Sequence, residues 1–363
     1  MNTSIAWMPF SLLLLAATGA ILTALVHALR RRVRPPESGF LAARPESEVV
    51  RGGGLAIVFG LSGLALLWLL RNPGEEAARG TLWVWLIGGG FLAFFSFLDD
   101  VRPVSRSVRL ALQTFTALIF LSAVFGWPTL ELPGLPEVRW GWLGWGLLLL
   151  WILGVTNIYS SMDNVGNLAG VQAVVAGLGW AFVGSWAGDS VIFLLGTSLA
   201  GLALGFLAYN RWAGPIAMGD TGSAYIGFFL AALPLIAFPR QPQLANPTIW
   251  IACGALLVWP FLFDGVYTRI LRLRNKSLPG GCETPHLYER LVTGGLPPSS
   301  LSVLYGTFAL AGWPLVALWL LGVKQALWLS LPILALLSAM LLLFARYRER
   351  PDRSKTESDE AVF

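Results

Sequence analysis

Eleven long apolar runs divide this chain, at about 5–29, 50–70, 81–98, 108–126, 141–157, 168–186, 190–209, 219–238, 248–270, 300–321 and 327–345. Most are long enough to cross a hydrocarbon core of ~30 Å as a helix rising 1.5 Å per residue. The composition agrees: 56% of the 363 residues are hydrophobic and 12% are charged, against about 25% charged in a soluble domain. The expected fold is therefore all-α, a polytopic membrane protein with about eleven transmembrane helices. Residues 1–345 form one transmembrane domain, and 346–363 form a charged, disordered tail. Several runs are rich in glycine, which lets membrane helices pack closely. The 17 tryptophans suit interfacial belts. No tandem repeat and no separate soluble domain is read.

The start "MNTSIAWMPF" has no basic segment, and the basic cluster "RRRVR" follows the first run. That pattern predicts a retained first helix with its N-terminus outside, rather than a cleavable signal peptide. With eleven spans the loops fall into two sets, and one set holds 20 of the 25 lysines and arginines. The positive-inside rule places that set in the cytoplasm, N-out and C-in. The net charge of +5 thus reads as membrane orientation, and no nucleic-acid partner is expected. Cys253 and Cys282 have no disulfide or metal spacing.

Five acids close the expected cytoplasmic ends of apolar runs: Asp99 and Asp100, Asp163, Asp220 and Asp264. The acids assigned to the opposite face, Glu75, Glu76, Glu131, Glu137 and Asp189, lie in polar loops. An aspartate in a membrane helix is costly. Each alone has a plain alternative, a helix cap or a solvated loop. Taken together they predict helices surrounding one pocket, with a hard cation relieving the repulsion between carboxylates. Carboxylate and water ligands suit Mg²⁺, which typically takes one or two protein carboxylates plus substrate phosphates; Mn²⁺ is a second candidate.

Neighbouring motifs fit an anionic substrate. Arg51, Gly52 and Gly53 in "RGGGLAI" offer a cation and backbone N–H groups to phosphate. "MGDTGS" is a tight turn into a helix; an N-cap is its plain reading. Asn157 and Asn210 are amides at span ends, and the segment 271–291 carries His286, Tyr288 and Arg290. His27, the other histidine, is assigned no chemistry.

In order, "RGGG", "FLDDVRPVSRSVRLALQ", "NIYSSMDNVGNLAG", "GFLAYN…MGDTGS", "DGVYTR" and "PHLYERL" resemble the polyprenyl-phosphate sugar-1-phosphate transferases. This is glycosyltransferase family 4, which includes the phospho-MurNAc-pentapeptide translocase and the GlcNAc-1-phosphate transferases. The resemblance runs from about residue 40 to 310 and is nearest to the bacterial branch that initiates O-antigen or capsule synthesis. It implies transfer of a sugar-1-phosphate from a UDP-sugar to undecaprenyl phosphate, with UMP leaving and Mg²⁺ required, in a bacterial inner membrane with the site at the cytoplasmic face. It assigns catalysis to Asp99, Asp100 and Asp163, with Asp99 as base or lipid-phosphate contact, and the metal to Asp220 and Asp100. Substrate binding falls to Arg51, Gly52, Gly53, Asn157, Asn210, Asp264, His286 and Arg290. A homodimer is compatible with the pattern.

The chain departs from the family on the donor side. Ser160 stands for an Asn, Asn164 and Asn167 for glycines, and Gly166 for an Asp that contacts the nucleotide in relatives. Glu283 and Thr284 replace a His and an Arg. Two other readings follow from these facts: a degenerate homologue that binds polyprenyl phosphate without turnover, and a transporter, whose acids would lie nearer mid-bilayer.

Overall fold

The structure is a computed structural model. It describes residues 3–33, 50–74, 76–102, 104–124, 129–130, 138–139, 141–213, 216–240, 247–274, 284–323 and 325–349. Every expected apolar run is helical. They form α1 (Thr3–Val33), α2 (Gly54–Arg71), α3 (Glu76–Val101), α4 (Arg106–Val124), α5 (Gly141–Ser161), α6 (Leu168–Ala187), α7 (Ser190–Trp212) and α8 (Gly219–Ala237). The ninth run is broken into α9 (Pro247–Leu257) and α10 (Trp259–Arg274). A short α11 (Leu287–Thr293) precedes the tenth run, divided into α12 (Pro298–Leu310) and α13 (Trp313–Leu320), and α14 (Ala326–Arg348) is the last.

The structure supports the expected eleven spans in part. Among the described residues nine helices are long and apolar enough to cross a membrane, or ten if α9 and α10, bent by 83°, make one span. The remaining run is α4, which begins with Arg106 and Arg109 and carries Gln113, Thr114 and Thr116. These polar groups lower its apolar content, and three of them, Arg106, Arg109 and Gln113, turn out to face the site. The last helix reaches Arg348, beyond the expected end of its run at 345; residues 350–363 lie outside the described residues.

The bundle is centred on α8, in which every residue from Thr221 to Ala237 is buried. Trp85 of α3 packs on Tyr225 and Phe229, with centroids 6.0 and 5.3 Å apart, and Phe120 of α4 meets Phe228 edge-on at 5.6 Å. α2 crosses α8 backbone to backbone: a Cβ on Gly54 would collide with the Cα of Gly222, and one on Gly222 with the Cα of Gly54. By contrast α1 and α14 expose many large apolar side chains, including Phe10, Leu13, Ile21, Leu336 and Leu343. An apolar rim around an apolar core is what lipid solvation allows and water does not. The protein is a multi-pass membrane protein.

Short strands stitch the helix ends. β1 (Val50–Arg51) pairs in parallel with β4 (Ile216–Ala217), and β2 (Thr129–Leu130) pairs antiparallel with β3 (Val138–Arg139). Asp189 was expected in a polar loop. Instead it is 2% exposed, caps α7 by accepting from the N–H groups of Val191 and Ile192 at 2.9 and 3.1 Å, and takes a two-pronged bond from Arg240 at 2.8 and 3.1 Å. Burial is tolerable there because the carboxylate is fully paired.

Candidate active site

The first turn of α8 organises the site. A helix begins with N–H groups that have no partner inside it. Here they are taken by acids from distant parts of the chain. Asp163, in the loop after α5, accepts from the Gly219 N–H at 3.0 Å. Asp100, at the end of α3, accepts from the N–H groups of Asp220 and Thr221 at 3.2 and 3.1 Å and from the Thr221 hydroxyl at 2.5 Å. Gly219 has φ +82°, and its Cα lies so near Gly52 and Asp100 that a Cβ would press on both. Glycine serves here because it accepts positive φ and the close approach.

Asp99 is buried and points elsewhere. One oxygen accepts from the Val104 N–H at 2.7 Å, and the other forms an ion pair with the Nη2 of Arg109. The same nitrogen lies 3.3 Å from Asp220 Oδ2. Asp99 and Asp220 therefore converge on one cationic nitrogen, and the Asp220 side chain is 41% exposed to a cavity of about 710 Å³. Asp99, Asp100, Asp163 and Asp220 thus meet at one end of the bundle, as expected from the sequence.

The cavity wall is strongly basic. Arg106 and Arg109 enter it from α4, and Arg269 and Arg272 from α10. Each pair is spaced i, i+3, which places both side chains on one helix face. Ser160, Ser161, Asn164, Asn157, Gln113, His286 and Glu289 supply neutral and acidic groups to the same lining. Sequence reasoning used these arginines only for orientation. Their i, i+3 spacing at the ends of two apolar runs was the available signal.

Burial, followed by the charges of Asp220 and Asp100, holds the Asp163 carboxyl well above its ordinary range; the Gly219 N–H and the Arg51 charge oppose that rise. Arg51 itself is exposed and acts on Asp163 through its field.

Several expected site residues do different work. The glycine N–H groups are not free for phosphate. Those of Gly52 and Gly53 donate to the Ala217 carbonyl at 3.1 and 2.9 Å, and that of Gly54 to Met218 at 2.9 Å, because β1 pairs with β4 and aims them inward. Asn157 does line the cavity, with its amide nitrogen bonded to Gln113 Oε1 at 2.8 Å. Asn210 does not line it: its nitrogen donates to Asn167 Oδ1 at 2.6 Å and its oxygen accepts from the Ile216 N–H at 3.0 Å, so it ties α7 to β4.

Asp264 is wholly buried and inward-facing. It accepts from Thr268 Oγ1 at 3.1 Å, from the N–H groups of Leu287 and Tyr288 at 2.9 and 3.0 Å, and from the Tyr305 hydroxyl at 2.7 Å; His286 Nδ1 lies 3.3 Å away. It caps α11 and leaves no face for substrate. Arg290 also turns away, forming a two-pronged bond with Glu349 at 2.5 and 2.7 Å. Of this group only His286 reaches the cavity.

The departures noted in the sequence have structural counterparts. Gly166 sits at φ +57° with its Cα against Pro298. Asn164 donates to the Ser161 carbonyl at 3.3 Å and the Tyr288 hydroxyl at 3.4 Å. The Thr284 carbonyl accepts from Arg272 Nε at 2.9 Å. Cys282 and Glu283 lie outside the described residues.

Among the described residues no group of three or more His, Cys, Asp or Glu could hold a metal ion. Mg²⁺ commonly needs only one or two protein carboxylates, and the donor set fits that pattern. Asp220, whose side chain is 41% exposed and faces the cavity, is the carboxylate placed to take a metal. Asp99 and Asp100 fit less well, since both oxygens of each are already bonded.

Carboxylates and arginines around one cavity in a predominantly helical membrane bundle make a site suited to anionic substrates. The profile of glycosyl transferase family 4 matches residues 82–238. The chain is 30% identical over 300 residues to a probable undecaprenyl-phosphate N-acetylglucosaminyl 1-phosphate transferase of Bacillus subtilis, covering 81% of this chain and 79% of that one. It is 38% identical over 140 residues to a phospho-N-acetylmuramoyl-pentapeptide-transferase of Synechococcus, covering 37% of this chain and 40% of the relative. With the same enzyme of Heliobacterium modesticaldum it shares 30% over 270 residues, 69% of this chain and 74% of the other. The chain belongs to glycosyl transferase family 4.

Proposed function

We propose that this protein transfers a sugar-1-phosphate, of the N-acetylhexosamine class, from a UDP-sugar to undecaprenyl phosphate, releasing UMP and starting a lipid-linked cell-envelope glycan. The observation that carries the proposal is the cavity in which Arg106, Arg109, Arg269 and Arg272 face the Asp99–Asp220 pair. Phosphoryl transfer needs positioning and neutralisation of charge on the transferring oxygens more than it needs covalent help from the protein. Four guanidiniums provide that for a pyrophosphate donor and a phosphate acceptor.

Asp99 acts by holding Arg109. Asp100 and Asp163 act by fixing the first turn of α8, which aims Asp220 into the cavity. Asp220 would hold a Mg²⁺ ion together with the substrate phosphates, with Asp100 supporting Asp220 from behind. When bound, that ion would neutralise further charge on the reacting phosphates. His286 and Asn164 line the wall on the donor side. With α4 taken as an eleventh span, the site lies at the cytoplasmic face of the inner membrane, N-out and C-in, the arrangement in which 20 of the 25 lysines and arginines fall on the cytoplasmic side.

The test is turnover. Purified protein with Mg²⁺, undecaprenyl phosphate and a panel of UDP-N-acetylhexosamines should release UMP with at least one donor. Omitting the lipid should abolish release. Lipid-phosphate binding with no UMP from any donor would make the protein a non-catalytic binder.

A further inference from the structure

The break between α9 and α10 is built where lipid would otherwise favour one straight helix. Pro260 has no N–H, so the Leu256 carbonyl loses its partner one turn on. The Phe261 N–H turns to Val258 at 3.1 Å, which takes a donor from the Leu257 carbonyl as well. A single side chain replaces it: Gln172 of α6 donates through Nε2 to the Leu257 carbonyl at 2.8 Å. Gln172 is 1% exposed, and its Oε1 has no hydrogen-bond partner among the described residues. A buried carboxamide with an unpaired oxygen is costly in an apolar bundle. Packing alone would be served better by leucine.

We infer that Gln172 is a positioning residue for the reaction: by satisfying Leu257 it holds the 83° bend that swings Arg269 and Arg272 of α10 into the cavity wall. The same bend places Asp264, which caps α11 and so seats His286. Gln172 is absent from the cavity lining; it works through the direction of α10. The kinetic part of this inference rests on the proposed transferase reaction, and the structural part does not.

The test is Gln172→Leu in the full-length protein, read in two ways. First, nitroxides at Val108→Cys on α4 and Leu273→Cys on α10, both exposed, report the distance across the cavity, with Cys253 and Cys282 replaced by alanine. Without substrate, the variant should give a shifted and broadened distance distribution. Second, KM for donor and acceptor should rise about tenfold, with a smaller change in kcat per folded molecule. A purely structural role would lower the folded yield while leaving the distances and KM unchanged, and that result overturns the inference. Gln172→Met serves where Gln172→Leu does not fold. If no donor turns over, the distance measurement still decides the matter, so failure of the bend and failure of the proposed reaction are told apart.

Discussion

The starts of α8 and α11 are the same device put to two uses. Each is a helix N-terminus whose orphan N–H groups are satisfied by carboxylates from another segment: Asp100 and Asp163 for α8, Asp264 for α11. At α11 the acid is sealed, and its oxygens are consumed by Thr268, Leu287, Tyr288 and Tyr305. At α8 the capping acids are joined by Asp220, whose side chain is 41% exposed and shares Arg109 with Asp99. An acid at the end of an apolar run therefore signals a helix start. Whether it has a catalytic or an architectural role depends on whether the turn opens onto a cavity.

The largest effect should come from the open turn. Asp220→Asn and Arg109→Ala should each lower UMP release by about 10²–10³-fold, the usual cost of losing one group that stabilises transition-state charge; thermal unfolding in detergent should be nearly unchanged for Asp220→Asn, whereas Arg109→Ala should also lower it because buried Asp99 loses its partner. Full activity in both would erase the distinction between the two turns.

The sealed turn should fail in the opposite manner. Asp264→Ala leaves two N–H groups and a tyrosine hydroxyl buried without a partner, each costing about 1–3 kcal/mol. The melting temperature should fall sharply, and activity should be lost with the folded protein. An Asp264→Ala protein that melts like wild type yet is inactive would move Asp264 to the catalytic side.

Asp163 tests the boundary between the two uses. Its carboxyl is held above the ordinary range by burial and by neighbouring acids. A raised carboxyl favours the folded state while protonated, and that contribution is lost as pH rises through the folded-state value. Asp163→Asn should therefore match or exceed wild-type thermal stability at neutral pH, with the difference shrinking as pH falls, while UMP release drops. A clear loss of stability at neutral pH would mean that the bond to Gly219 outweighs desolvation.

The smallest effect belongs to the Arg290–Glu349 pair, a partly exposed link between α11 and the end of α14. Glu349→Gln should cost no more than about 1 kcal/mol. Arg290 holds the Glu349 carboxyl low, so wild type should lose this small advantage only as pH falls through the depressed value. Reversing both charges, Arg290→Glu with Glu349→Arg, should restore it.

The helices were legible because apolar runs of about twenty residues have one outcome in lipid. The eleven-span count was less so, since α4 spends its polar residues on the cavity and the ninth run breaks between α9 and α10. The cluster of Asp99, Asp100, Asp163 and Asp220 was legible from their shared end of the runs. The roles of Asn210, Asp264 and Arg290 were not, because a polar residue at a span end looks the same whether its partner is a substrate or a neighbouring helix. The glycines of "RGGG" misled for a related reason: exposed N–H groups and strand-paired N–H groups share one sequence. Arg269 and Arg272 were hidden as orientation charges until the bend of α10 turned them inward.

The crossing of Gly54 and Gly222 is a place where this enzyme is fragile. A single added methyl at either position leaves the charge unchanged, yet it would wedge α2 from α8 and tilt the turn that carries Asp220. Random mutagenesis scored for inactivity should therefore return alanine at these two glycines as readily as substitutions of the aspartates. A tolerance map of the chain would follow backbone proximity more closely than polarity.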